Sequence, residues 1–122
     1  MMSHPIVHIE LSASSHKEAA KFYAEVFGWA MTDFPEMDYT TFSSGENAPG
    51  GGFNNVQEGN PAGTTVIYIH TDSIEESAAK IEAGGGQLLG PAMDIPTVGT
   101  MQHFTDPTGN HMSLLKPEER AD

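Results

Sequence analysis

The sequence contains no cysteine, and that absence removes several chemistries at once. Disulfides, thiolate nucleophiles and cysteine-based zinc sites are excluded, so any metal held by this chain must take His, Asp or Glu. Positive charge is nearly as scarce. Lys17, Lys21, Lys80, Lys116 and Arg120 are the five basic residues against 17 acidic ones, giving a net charge of −12. Nucleic acid and anionic membranes both demand basic patches, and neither is expected as a partner. The acidity reads most simply as a solubility device. No apolar run approaches the roughly 20 residues of a membrane-spanning helix, and the opening MMSHPIV lacks the basic and apolar stretches of a secretory signal. A soluble, cytoplasmic chain is the expectation. A phosphate-binding loop is also missing. PGGGF (49–53) has neither the Lys nor the Ser/Thr that such a loop needs, and reads instead as close backbone approach within a strand.

What is present is a core and a repeat. With 122 residues, 38% of them hydrophobic, the chain can bury roughly two-thirds of its unfolded surface as one domain. Residues 6–28, IVHIELSASSHKEAAKFYAEVFG, read as a strand, a polar link and an amphipathic helix closed by Gly. TTVIYIHTDSIEESAAKIEAGGG (64–86) repeats that grammar, with Ser15 over Ser73, Ala20 over Ala78 and Gly28 over Gly86. Short, turn-punctuated strand segments follow each copy. The period predicts two βαβββ units.

Within the first copy, residues 6–12 alternate, with His8, Glu10 and Ser12 opposing Val7, Ile9 and Leu11. Ser14 or Ser15 caps a helix whose apolar positions are Ala19, Phe22, Tyr23, Val26 and Phe27, and Gly28 ends it. Strands are expected near 29–33, 38–44 and 50–55, with turns at FPEMD and GENAPGGG. NVQEGNPAG (55–63) is the linker. In the second copy, Val66, Tyr68 and His70 oppose Ile67, Ile69 and Thr71. A helix over about 73–83 starts behind Asp72 or Ser73, and strands follow near 87–93, 99–105 and 111–116, the last two joined by the turn DPTGN. The tail PEERAD is expected to fray.

FYAEVFGW (22–29) after a His-bearing first strand, the module repeat, and DPTGNHMSLL (106–115) before the C-terminus together resemble the vicinal oxygen chelate superfamily. This is the group of glyoxalases, bleomycin-resistance proteins and extradiol dioxygenases, and the closest-looking branch is glyoxalase-like. The resemblance covers nearly the whole chain. It implies an α+β fold in one domain over 1–122, with module one at about 5–56 and module two at about 63–116. Their eight strands would form a curved, incompletely closed mixed sheet with the helices outside. It also implies a divalent metal held by His and Glu on the concave face. Here His8 matches the first-strand ligand position. Val66 stands where a second His is usual, Ser113 where a Glu is usual, and GGGFNN (50–55) offers neither imidazole nor carboxylate. One imidazole does not hold a catalytic metal, so no cofactor is expected. A divalent metal, if held, would use His8 with Glu10 or His111.

The alternation argues independently of the family. If Val7, Ile9, Leu11, Ile67, Ile69, Met112 and Leu114 pack under the helices, then His8, Glu10, Tyr68, His70, His111 and Ser113 face the other way, as the lining of a ligand site. His8 and Glu10, two apart on one strand face, are the candidate catalytic pair. Phe53, Tyr68, His70, His111 and Ser113 complete the candidate ligand-binding set. Blander readings stand beside these. His8 fits equally a histidine satisfied within the fold, Glu10 and His70 fit a solvated rim, and Tyr68 and Phe53 fit a core or dimer interface. His4, His16 and His103 belong to no pattern, and Met31, Met37, Met93 and Met101 fit core gap-filling or an adaptable pocket. Three functions are open. The chain is a metal-free small-molecule binder, a lyase, isomerase or dioxygenase with a displaced metal site, or a non-catalytic interaction domain. A homodimer is expected, because the sheet edges and aromatics such as Trp29 and Phe34 need cover.

Overall fold

The computed structural model describes residues 3–56 and 61–118. The middle of the linker (57–60) and most of the PEERAD tail lie outside the described residues. Among those described, eight strands and two helices run in the order that the repeat predicts. The first copy comprises β1 (Ile6–Ala13), α1 (His16–Phe27), β2 (Ala30–Phe34), β3 (Tyr39–Ser43) and β4 (Gly50–Asn55), with a 3-10 turn at Pro35–Met37 between β2 and β3. The second comprises β5 (Thr65–His70), α2 (Ile74–Ala83), β6 (Gln87–Ile95), β7 (Gly99–Thr105) and β8 (His111–Pro117). The fold is α+β with mixed strand pairing. In the first copy β2, β3 and β4 form an antiparallel meander, and β4 then pairs β1 in parallel. In the second, β6, β7 and β8 do the same, and β8 pairs β5 in parallel. Contacts divide the chain into two compact units, residues 7–66 and residues 3–6 with 67–118.

The repeat is visible down to the caps. Ser15 and Ser73 both adopt extended backbone, and each side-chain oxygen accepts from the amide three residues on, Glu18 and Glu76, at 3.2 Å. Such a cap is worth about 1 kcal/mol. Gly28, at φ 74°, closes α1 in the left-handed conformation that a side chain would strain. Helix α2 stops earlier relative to the repeat, and the left-handed position passes to Gly85 at φ 95°.

Each helix covers one face of the strands in its own unit. Under α1, Ala20, Phe42 and Phe53 are buried, with Ile9, Leu11, Tyr23, Trp29 and Met31 packed against them. Under α2 the centre is Ile74, Phe104 and Leu114, with Ile69, Ile81, Leu88 and Met112 around it. Several expectations are corrected here. Phe22, Val26 and Phe27 are 53–60% exposed, because Ala19, Ala20 and Tyr23 are the positions of α1 that meet the sheet. Val7 is 40% exposed at the open start of β1. Trp29 needs no second chain to cover it, since it stacks between Tyr23 and Phe42 at centroid distances of 4.9 and 4.7 Å.

Candidate functional site

On β1, residues two apart share a face, and the helix takes the face of Ile9 and Leu11. His8 and Glu10 therefore emerge on the uncovered side. They meet there, with His8 Nε2 lying 2.7 Å from Glu10 Oε2. A third group joins them. The Tyr39 hydroxyl donates to the same carboxylate oxygen at 2.7 Å and lies 3.0 Å from His8 Nε2. The side chains of His8 and Glu10 are 26% and 13% exposed, shielded enough to strengthen these bonds and open enough to be reached.

The reason Tyr39 can reach Glu10 lies in β4. Gly52 stands in register with Glu10 on one side and Thr41 on the other. A Cβ at position 52 would sit 1.9 Å from the Tyr39 hydroxyl oxygen and 2.2 Å from Cζ. The missing side chain is the slot in which the phenol lies. Sequence reasoning missed Tyr39. The available signal was the glycine run itself, read correctly as close approach but without naming what approaches. Two residues on, Asn54 pairs with Ser12, two positions past Glu10. Its side-chain oxygen is buried without a hydrogen-bond partner. Buried acceptors are rarely left unpaired, so this one invites a donor on the same face as His8 and Glu10.

The remaining candidates are distributed as follows. Phe53 is corrected: it pairs with Leu11, is 1% exposed and stacks on Tyr23, so it belongs to the core beneath α1 and not to the His8 face. Ser113 is fully buried, and its hydroxyl donates at 3.3 Å to the carbonyls of Gln102 and Leu114, so it presents no open surface. His70 faces the exposed Asp72 at 4.0 Å, a rim pairing worth little, and its carbonyl lies 2.9 Å from His4 Nδ1. Tyr68 and His111 are brought together through His103. The Tyr68 ring meets His103 edge-on at 6.3 Å, and His103 Nδ1 lies 3.3 Å from His111 Nε2. Burial first, and then the charge of His111, hold the His103 pKa below the ordinary value. His16, assigned to no pattern, is buried at the first turn of α1. Its Nδ1 lies 2.7 Å from the Thr40 hydroxyl, which donates to Asp33. That chain ties the helix start to the β2–β3 hairpin.

Two of the cavities formed by the described residues bear on the choice of site. One, of about 340 Å³, lies against α1 between Ala19, Tyr23, Leu11 and the Gly63–Thr65 segment. The other, of about 450 Å³, opens beside Asp94, Thr100 and Lys116, where β6, β7 and β8 end. Neither includes His8, Glu10 or Tyr39, and neither gathers comparable proton-transfer groups, so chemistry rather than volume selects the site.

The donors do not fit the metal that the family resemblance implies. Val66 is a buried apolar side chain, Ser113 is sealed, and β4 supplies glycines, Phe and Asn. Among the described residues no three His, Asp or Glu side chains gather into a group able to hold a metal ion.

Comparison with known proteins agrees with the fold. The family model described as Glyoxalase/Bleomycin resistance protein/Dioxygenase superfamily matches residues 5–114. A glyoxylase-like domain-containing protein of Didymella fabae is 30% identical over 117 residues, covering 89% of this chain and 91% of that one. The anthracycline biosynthesis protein DnrV of Streptomyces peucetius is 32% identical over 117 residues, covering 82% of this chain and 42% of its own length. The chain thus spans less than half the length of several curated relatives, including two mycobacterial ones at 43%. Among solved structures, a Bacillus halodurans C-125 protein superposes with a TM-score of 0.74 at 18% identity, covering 99% of both chains. Methylmalonyl-CoA epimerase of Mycobacterium tuberculosis gives 0.70 at 10% identity, covering 93% of this chain and 88% of that one. At such identities these likenesses concern the fold alone.

Proposed function

The chain belongs to the glyoxalase/bleomycin resistance protein/dioxygenase superfamily, and from that premise we propose that it binds a small polar molecule on the His8–Glu10–Tyr39 face without the family's metal. The observation that carries this reading is the convergence of an imidazole and a phenol on one carboxylate oxygen, in a slot that only glycine at position 52 leaves open. The unpartnered Asn54 oxygen supports it, because a ligand donor would satisfy that atom. The test is a melting-temperature screen of a small-molecule library. A ligand present at a hundred times its Kd adds about 2.7 kcal/mol of stability. Glu10→Gln and Tyr39→Phe should each remove most of the shift produced by a genuine hit. Hits whose shifts survive both substitutions would refute the site.

A second reading, a metal-independent isomerase or lyase, is favoured by one feature of the same geometry. Two groups with exchangeable protons, the His8 imidazole and the Tyr39 hydroxyl, share Glu10 Oε2, so the carboxylate can take a proton from a bound molecule while Tyr39 or His8 returns one. Solvent deuterium appearing in the bound molecule with the native chain, and not with Glu10→Gln, separates catalysis from binding. We further propose a homodimer that uses the exposed apolar face of α1 at Phe22 and Val26. Light scattering at micromolar concentration should give twice the chain mass, and a monomer mass refutes it.

A further inference from the structure

His103 and His111 lie on neighbouring antiparallel strands. In the β7–β8 register His103 faces Ser113 and Thr105 faces His111, so the two imidazoles are diagonal neighbours on one face. The turn between them is pinned. The Asp106 carboxylate accepts from the Thr108 amide and hydroxyl and from the Asn110 amide and side chain, at 2.8–2.9 Å. A slip of one residue would forfeit these bonds and send the imidazoles to opposite faces.

The rings meet with His103 Nδ1 3.3 Å from His111 Nε2, centroids 5.1 Å apart and planes at 73°. These values do not describe a straight hydrogen bond. With both ring axes along the N···N line, centroids would stand about 5.6 Å apart at that separation. The shorter centroid distance turns the ring axes off the line. A tetrahedral ion bound at about 2.0–2.1 Å to two imidazole nitrogens needs those nitrogens about 3.3–3.4 Å apart and the centroids about 5.2 Å apart. The observed N···N and centroid distances match both figures.

We propose that His103 Nδ1 and His111 Nε2 form a two-nitrogen chelate for a borderline divalent transition cation such as Zn²⁺, Cu²⁺ or Ni²⁺, leaving two positions to water or to an oxygen ligand. Imidazole suits these ions. The Tyr68 ring packs edge-on against His103 at a centroid distance of 6.3 Å. Neither histidine stands where a ligand of the family is usual; the sequence offers His111 as a partner of His8, whereas the structure pairs it with His103. With two protein ligands it is an exchangeable site, not a structural one.

The experiment is calorimetric titration of the whole chain with ZnCl₂, with imidazole resonances followed by NMR. One equivalent should bind, and the ring signals of His103 and His111 should move together. His103→Gln and His111→Gln should each weaken binding about tenfold or more, while His8→Gln should not. The proposal is overturned if no stoichiometric binding occurs, if both variants bind as well as the native chain, or if the signals of His8 or His70 move instead. Should a variant fail to fold, the ring shifts of the native chain decide alone.

Discussion

Replacing Gly52 by Ala is the sharpest test of how this site is built. The added methyl would lie 1.9, 2.2 and 2.8 Å from Oη, Cζ and Cε1 of Tyr39. All three overlaps involve the swinging end of one side chain, so the ring must leave its slot while the strands remain paired. The loss is then two hydrogen bonds, one to the Glu10 carboxylate at 2.7 Å and one to His8 at 3.0 Å. A bond to a charged group is worth about 1.5–3 kcal/mol and a neutral one about 0.5–1.5 kcal/mol. Against this, alanine returns about 0.5–1 kcal/mol of backbone entropy. The net cost is about 1–4 kcal/mol. At an unfolding entropy near 2.1 cal/mol/K per residue, each kilocalorie lowers the Tm of a chain this long by about 4 °C.

Denaturant melts should show the midpoint falling with an unchanged slope, since the same surface is exposed on unfolding. The decisive arm is a double-mutant cycle. In a Tyr39→Ala background, Gly52→Ala should cost almost nothing, because no ring remains to be displaced. Tyr39→Phe should give no such rescue, because Cζ and Cε1 still overlap the methyl. Gly51→Ala provides the contrast. Its methyl would fall 1.8 Å from the Ile9 carbonyl oxygen, part of a paired backbone that cannot swing away, and its cost should exceed that of Gly52→Ala. If Gly52→Ala is equally damaging with and without the Tyr39 ring, the slot is not what the glycine is for.

His8→Ala and Glu10→Ala should each cost about 1–3 kcal/mol, since removing one partner strands the others. The pair together should cost less than their sum in a denaturant melt, and costs within about 0.5 kcal/mol would show the contacts to be idle. The pH dependence of stability carries a signature of His103. Its pKa is lowered in the folded chain, so the unfolded chain takes up the proton first as pH falls through the ordinary histidine value of about 6.5. That stability is present above this pH and is lost from there down to the folded pKa. His103→Asn should flatten this part of the stability curve, and an unchanged slope would place the loss elsewhere. Asp106 acts in a lower window. Hydrogen bonds from Asn110, then from Thr108, hold its pKa well below the usual carboxylate range, so Asp106→Ala should abolish a stability loss seen below about pH 4.

What the sequence made legible follows from periodicity, and what it hid follows from reach. Alternation, the repeat and the turn signals locate the strands and helices of the described residues, because period 2, period 3.6 and turn chemistry are properties of consecutive residues. Ser15 and Ser73 could be paired before any coordinates because a cap acts on its own first turn. The same locality brought out His8 with Glu10, two apart on one strand. Tyr39 was invisible because its partners are 29 and 31 positions away and its access depends on a missing side chain at a third strand. Phe53 was misplaced for a related reason. In the run GGGFNN no alternation exists to tell the faces apart, and only the pairing of Phe53 with Leu11 settles which side it takes. His103 joins His111 across a hairpin whose register the DPTGN turn sets, so the turn was readable while its consequence for the two imidazoles was not. The first strand therefore shows only part of the candidate site. The rest arises where glycines and turn residues let distant side chains meet.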